Sequence, residues 1–159
     1  MRISATKQLS AVAEPQSNID LTGSLVLVSC VKSKLSYAAP ARDLYISAWF
    51  TKVRGLVESQ NSTWFILSAL YGLVGPDKVI LPYDRTLKTM GIHDRQSWAT
   101  KILGQLDPFL ASIPDVTFFA GQRYREFLIN PLRDRGITVE VPMEGLPIGR
   151  QLAWLTEAR

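Results

Sequence analysis

The chain has 159 residues, with 18 Lys and Arg against 14 Asp and Glu, one His and one Cys. Its length suits a single domain, and a hydrophobic share of 47% with a charged share of 20% excludes global disorder. One Cys excludes an internal disulfide framework, one His beside it leaves no ligand set for a structural zinc site, and no apolar run approaches the roughly 20 residues that span a bilayer.

Residues 1–22 follow neither a helical nor a strand period and read as a loosely held arm ahead of one α/β domain over 23–159. The first 20 residues contain no apolar signal core, which makes a cytoplasmic protein the expectation. Leu25 to Val28 is an apolar, β-branched run that reads as a buried strand. A polar loop then runs from Ser29 to about Arg42. Tyr45, Trp49, Val53 and Leu56/Val57 recur at helical spacing, with Asp43 near the helix start, where a carboxylate suits the dipole.

Trp64 to Leu67 is a second buried strand. The stretch from Tyr71 to Thr86 holds three Gly or Pro breaks before Tyr83 and reads as a long ordered loop. Asp94 is the expected N-cap of a helix carrying Trp98, Ile102, Leu106 and Phe109/Leu110. Val116 to Phe119 is a third strand. Gly121 opens a helical segment with Tyr124, Phe127 and Leu128 on one face, which Pro131 kinks or restarts. Ile137 to Val141 is a fourth strand, and Ile148, Leu152 and Leu155 mark a closing helix.

Strands alternating with amphipathic helices predict a three-layer α/β domain with a mainly parallel central sheet of four or five strands. Ligands of such sheets sit beyond the carboxyl ends of the strands. That rule selects the segments beginning at Ser29, Ser68, Gly121 and Pro142.

After the first strand, Ser29-Cys30-Val31-Lys32-Ser33-Lys34 offers two ammonium groups and hydroxyl donors to a phosphate or carboxylate. It lacks the glycines of a Walker loop. The basic excess is concentrated here: Lys32, Lys34, Arg42, Lys52 and Arg54 face only Asp43 within 31–54, a patch suited to phosphates or equally to a solvated helix face. Cys30, just past a buried strand, reads as a small core residue.

After the second strand, Ser68, Tyr71 and Gly72 precede Pro82-Tyr83-Asp84. Gly72 permits close approach by a ligand or a neighbouring backbone. Tyr71 and Tyr83 can stack on a base, or can be lids over the sheet edge. Asp84 can orient water or stabilise positive charge, or can be a turn residue bonding its own backbone. After the third strand, Gly121 and the segment to Tyr124 place backbone N–H groups at a helix start. After the fourth, Glu144 precedes Gly145, and Arg150 further on can grip a phosphate bidentately.

Leu67-Ser68-Ala69-Leu70-Tyr71-Gly72-Leu73, followed by Pro76, Pro82-Tyr83 and Met90-Gly91-Ile92, resembles the core signature of the YaaA peroxide-stress family. Asp43-Leu44-Tyr45 resembles a short Asp-Leu-Tyr element of that family, there placed after the Tyr-Gly segment. The Ser29-Cys30-x-Lys32-x-Lys34 opening departs from the YaaA pattern. It is similar to small bacterial and phage proteins with Ser-Cys-x-Lys-x-Lys and Ser-Ala-x-Tyr-Gly-Leu motifs, and to the middle domain of archaeosine synthases, which is related to the uracil-DNA glycosylase fold. These resemblances imply a glycosylase-like α/β fold and a nucleobase or nucleic-acid ligand.

Three functions follow as expectations. The first is an enzyme acting at a nucleobase or its N-glycosidic bond, in a nucleotide or in nucleic acid, with DNA ahead of RNA. Tyr71 and Tyr83 would stack the base, Lys32 and Lys34 would hold phosphate, and Asp84 or Asp43 would be the carboxylate. Ser29, Tyr45, Ser68, Gly72, Gly121, Tyr124 and Arg150 complete the expected substrate site. This chemistry calls for no metal or other cofactor and no membrane. The second is a non-catalytic DNA-binding protein of stress response or phage–host conflict. The third is a small protein-interaction module.

Overall fold

The computed structural model describes residues 18–158. Most of the expected arm, residues 1–17, lies outside them. Its last residues are tied down: Leu21 is fully buried, and the Gln60 side-chain amide receives the Leu21 N–H at 2.8 Å while donating to the Ile19 carbonyl at 2.9 Å.

The strands are β1 (Ser24–Ser29), β2 (Ala39–Pro40), β3 (Thr63–Ser68), β4 (Gly72–Val74), β5 (Val79–Ile80), β6 (Asp115–Phe119) and β7 (Thr138–Glu140). The helices are α1 (Ala41–Leu44), α2 (Ala48–Ser59), α3 (Ile92–Leu110), α4 (Gln122–Arg125), α5 (Ile129–Asp134) and α6 (Ile148–Glu157), with a 3₁₀ turn at Leu87–Thr89. Among the described residues, five strands form one sheet in the order β4-β3-β1-β6-β7, and β2 pairs with β5 in a separate ribbon. β1 lies parallel to both β3 and β6, and β6 lies parallel to β7; β4 runs antiparallel to β3. The expected mainly parallel sheet is therefore present.

All six residues of β1 are buried, as a central strand covered on both faces requires. Successive side chains of β3 point to opposite faces. Trp64 packs on Phe50 of α2, and Phe65 packs on Phe109 of α3, so these helices cover opposite sides of the sheet. Phe119 of β6 is on the Trp64 side by register and meets Trp154 of α6. The sheet is thus sandwiched between α2 with α6 and α3.

Several local expectations change. Tyr45 is not on the helix. It bridges antiparallel to Lys34, and Ser47 caps α2 by accepting the Phe50 N–H at 3.0 Å. The expected loop at 71–86 contains β4 and β5, short strands without the length for a period-two signal. Gly91, not Asp94, is the cap of α3; Asp94 sits in its first turn. The break after Gly121 falls between α4 and α5, before Pro131, which lies in the first turn of α5. Ile148 starts α6 but faces solvent, and Trp154 and Leu155 make the buried face.

β1 leads across to β3 on one side, and β6 leads across to β7 on the other. The direction of winding reverses between β1 and β6, and the crevice beyond their carboxyl ends is where α/β sheets place ligands.

Candidate functional site

A cleft of about 1040 Å³ occupies that crevice. Its walls come from the end of β1 with the loop to Lys34, the loop 84–88, the segment 121–124, and the facing starts of α2 and α6. The volume is at the upper end of the 300–1,000 Å³ typical of small-molecule sites, enough for a nucleotide-sized ligand.

The loop after β1 folds back through the Leu35 N–H to the Leu44 carbonyl (2.9 Å) and the Ile46 N–H to the Ser33 carbonyl (3.0 Å). This hairpin-like return brings the Lys34 ammonium 4.4 Å from the centre of the Tyr83 ring, a cation–π contact, while it donates to the Lys32 carbonyl at 3.3 Å on the cleft wall. Burial lowers the Lys34 pKa from its ordinary value, opposed by the fields of Cys30 and Asp84. Lys34 is therefore partly stripped of water. That strengthens its attraction for an anion in the cleft.

Below it lies a hydroxyl cluster. The Ser68 hydroxyl donates to the Tyr83 oxygen at 2.8 Å and accepts the Tyr71 N–H at 2.9 Å, while the Tyr83 and Tyr45 oxygens are 2.6 Å apart. Burial pushes the phenols of Tyr45, Tyr83 and Tyr124 above the ordinary tyrosine range, so all three are neutral donors at physiological pH. The Tyr124 oxygen accepts the Leu87 N–H at 3.3 Å and the Cys30 thiol at 3.5 Å, pinning the loop 84–88 to the end of β1. Buried Arg95 adds a second clamp, donating to Glu126 at 2.9 Å and to the Met90 carbonyl at 2.6 Å.

Of the residues expected at the site, Ser29, Lys32, Lys34, Asp84, Gly121 and Tyr124 line the cleft together. Ser68, Tyr45, Tyr71 and Tyr83 lie outside the lining, and Lys34 links them to the cleft through its contacts with the Tyr45 and Tyr83 rings. Tyr71 and Tyr83 do not form a stacking slot. Their rings meet edge to face at 86°, with centres 5.4 Å apart and no parallel gap between them, and the Tyr71 hydroxyl donates to the Leu81 carbonyl.

Gly72 serves the fold. At φ +81° it opens β4, and a Cβ there would stand 2.6 Å from the Gln105 amide oxygen that accepts the Leu73 N–H. Asp43 lies away from the cleft lining and pairs with Arg54 at 2.7 Å. Arg150 is exposed on the first turn of α6, also outside the lining. The 31–54 patch is broken up as well. Arg42 pairs with Asp77 and Glu58, Arg54 pairs with Asp43 and Glu58, and Lys52 donates to Thr156.

The cations that line the cleft are instead Lys32, Lys34, Arg85, Lys88 and Arg123, and among the described lining residues Asp84 is the one carboxylate. Arg85, Lys88 and Arg123 escaped sequence reasoning because they are separated in the chain and follow no spacing. Adjacency to Asp84 was the available signal for Arg85. Trp49 and Gln151, joined by an indole N–H to amide oxygen bond of 2.8 Å, were missed because they come from helices 102 positions apart. Among the described residues no three His, Cys, Asp or Glu side chains come together to hold a metal ion, and no helix is long and apolar enough to cross a membrane.

Comparison with curated proteins and with solved structures gives no match. A family model matches residues 25–157, from the first residues of β1 to the end of α6. By that match the chain belongs to DUF6884, a family of unknown function.

Proposed function

We propose that the protein is an enzyme acting on a nucleotide, free or within DNA, at its N-glycosidic bond. One observation carries this reading: among the described residues lining a nucleotide-sized cleft at the winding reversal of the sheet, Asp84 is the one carboxylate beside five cationic side chains. Lys32, Lys34, Arg85, Lys88 and Arg123 neutralise phosphate. Asp84 is exposed and stays on the water side of the cleft. Its negative charge stabilises the oxocarbenium-like sugar and accepts a proton from the attacking water. Water's oxygen bonds to the sugar carbon, the C–N bond breaks with its electron pair going to the base, and the proton that Asp84 takes from water passes through solvent to the leaving base, which leaves Asp84 ionised again.

The test is release of free base from nucleoside monophosphates and from single- and double-stranded DNA, followed by chromatography. Asp84→Asn keeps the shape and removes the charge, so base release is expected to fall roughly 100-fold or more, as for loss of one general acid–base group. Thermal stability should stay near wild type, as for a surface change. Base release by Asp84→Asn at the wild-type rate would remove Asp84 from the chemistry. A second reading, a DNA-binding module without turnover, draws on the solvent exposure of Lys32, Arg85, Lys88 and Arg123. It becomes the better account if wild type releases no base but binds DNA.

A further inference from the structure

The cleft has a side chamber. A pocket of about 220 Å³ adjoins it, sharing Trp49, Gly121, Gln122 and Gln151 with its wall. The chamber lies over the ends of β6 and β7, where Val141 backs it and the buried Phe119 and Met143 lie beneath, and its open surface is mostly polar. It is too small for a whole nucleotide and of a size for one flat ring.

Its polar equipment is specific. Arg125 keeps 15% of its side chain exposed, donates Nη1 to the Ala120 carbonyl at 2.8 Å, and has Nη2 3.7 Å from a Glu144 carboxylate oxygen. That second distance is an ion pair without a hydrogen bond. Gln151 is fixed at both ends of its amide, accepting from Trp49 and donating to the Leu146 carbonyl at 2.8 Å, so Trp49 and Gln151 form a rigid partition between chamber and cleft. The guanidinium is a rigid fork of donors with no acceptor, and bidentate donation to neighbouring ring acceptors is its typical way of reading a base edge. The main cleft, in contrast, has cations and a carboxylate, but neither Tyr71 nor Tyr83 is in its lining, whose aromatics are Trp49 and the buried Tyr124.

We infer that this chamber is the base-binding subsite, and that it selects a nucleobase whose edge carries a carbonyl acceptor. The inference rests on the nucleotide reading above and names the part of the substrate that reading leaves unplaced. The base enters over Gly121 and Gln122, which chamber and cleft share, and lies against Val141 with its face. It presents its carbonyl edge to Arg125, while its phosphate remains among the lysines and arginines of the cleft. A base with an amino group at that edge would set a donor against a donor and bind more weakly.

The test is calorimetric titration of the wild-type protein with ribose 5-phosphate, AMP, GMP, CMP and UMP, repeated with Arg125→Met. GMP, with neighbouring O6 and N7 acceptors, and CMP, with neighbouring O2 and N3 acceptors, should bind at least 10-fold tighter than ribose 5-phosphate and AMP, with UMP, whose carbonyls have no acceptor beside them, in between. Arg125→Met should erase that preference and leave ribose 5-phosphate affinity unchanged. Equal binding of all five compounds by wild type would overturn the base subsite and leave phosphate capture standing. The same holds for a base preference that survives Arg125→Met. Failure of every compound, ribose 5-phosphate included, would overturn the nucleotide reading itself, and this inference with it. The wild-type panel alone decides the question if Arg125→Met does not fold.

Discussion

Tyr83→Phe is the substitution whose consequences the structure specifies most fully. It deletes one oxygen that receives the Ser68 hydroxyl at 2.8 Å and lies 2.6 Å from the Tyr45 hydroxyl. Ser68 and Tyr45 are 0% and 2% exposed, so neither can turn to water. Each orphaned buried hydroxyl costs about 1–3 kcal/mol. Ser68 keeps its two backbone donors, Leu70 and Tyr71, which places the total at roughly 2–3 kcal/mol. In a domain of this size that is a fall of roughly 4–12 °C in Tm.

The same variant changes the alkaline response. The phenols of Tyr45, Tyr83 and Tyr124 are raised by burial, so above about pH 10 the unfolded chain releases protons that the folded chain retains. Stability is therefore intact below pH 10 and is lost as pH rises, by at most about 1.4 kcal/mol per pH unit for each phenol, or about 4 for the three. Lys34, lowered by burial, acts in the opposite sense just below its unfolded value and softens the onset. Tyr83→Phe removes one of the three contributions, leaving a slope of at most about 2.7 kcal/mol per pH unit. Urea denaturation from pH 7 to 11.5 measures both effects. A variant as stable as wild type at pH 7 with an unchanged alkaline slope would refute the buried hydroxyl cluster.

Two further outcomes are expected. Gly72→Ala should lose roughly 2–3 kcal/mol in denaturation, from a left-handed backbone that alanine resists and from the displaced Gln105 bond to Leu73; a loss under half that would mean the turn relaxes freely. Lys32→Ala with Lys34→Ala should flatten the salt dependence of duplex DNA binding by about 1.8 in log–log slope, two phosphate contacts at about 0.9 each; an unchanged slope would clear both lysines.

Local sequence was enough for the layers of this protein. The runs at 25–28, 64–67 and 116–119 are apolar except for Thr117, all but Phe65 of their residues are buried, as in strands covered on both faces, and all three are strands of the central sheet. Trp98, Ile102 and Leu106 sit four apart and lie on the buried face of α3 as that spacing requires. The edge rule for parallel sheets then placed Ser29, Lys32, Lys34, Asp84 and Gly121 on one cleft from strand ends alone. Only the tertiary structure decided what the tyrosines do and which cations matter. Tyr71 and Tyr83 close edge to face because the bonds of Tyr83 to Ser68 and Tyr45, set by β3 and the Lys34–Tyr45 bridge, orient its ring. Arg42 and Arg54 are spent on Asp43, Glu58 and Asp77, while Arg85 and Lys88 from one loop and Arg123 from α4, the last 3.7 Å from a Glu126 carboxylate oxygen, line the same cleft. Charge and aromaticity belong to a residue, but partner and orientation are properties of the packing around it, and no local pattern in the chain encodes them.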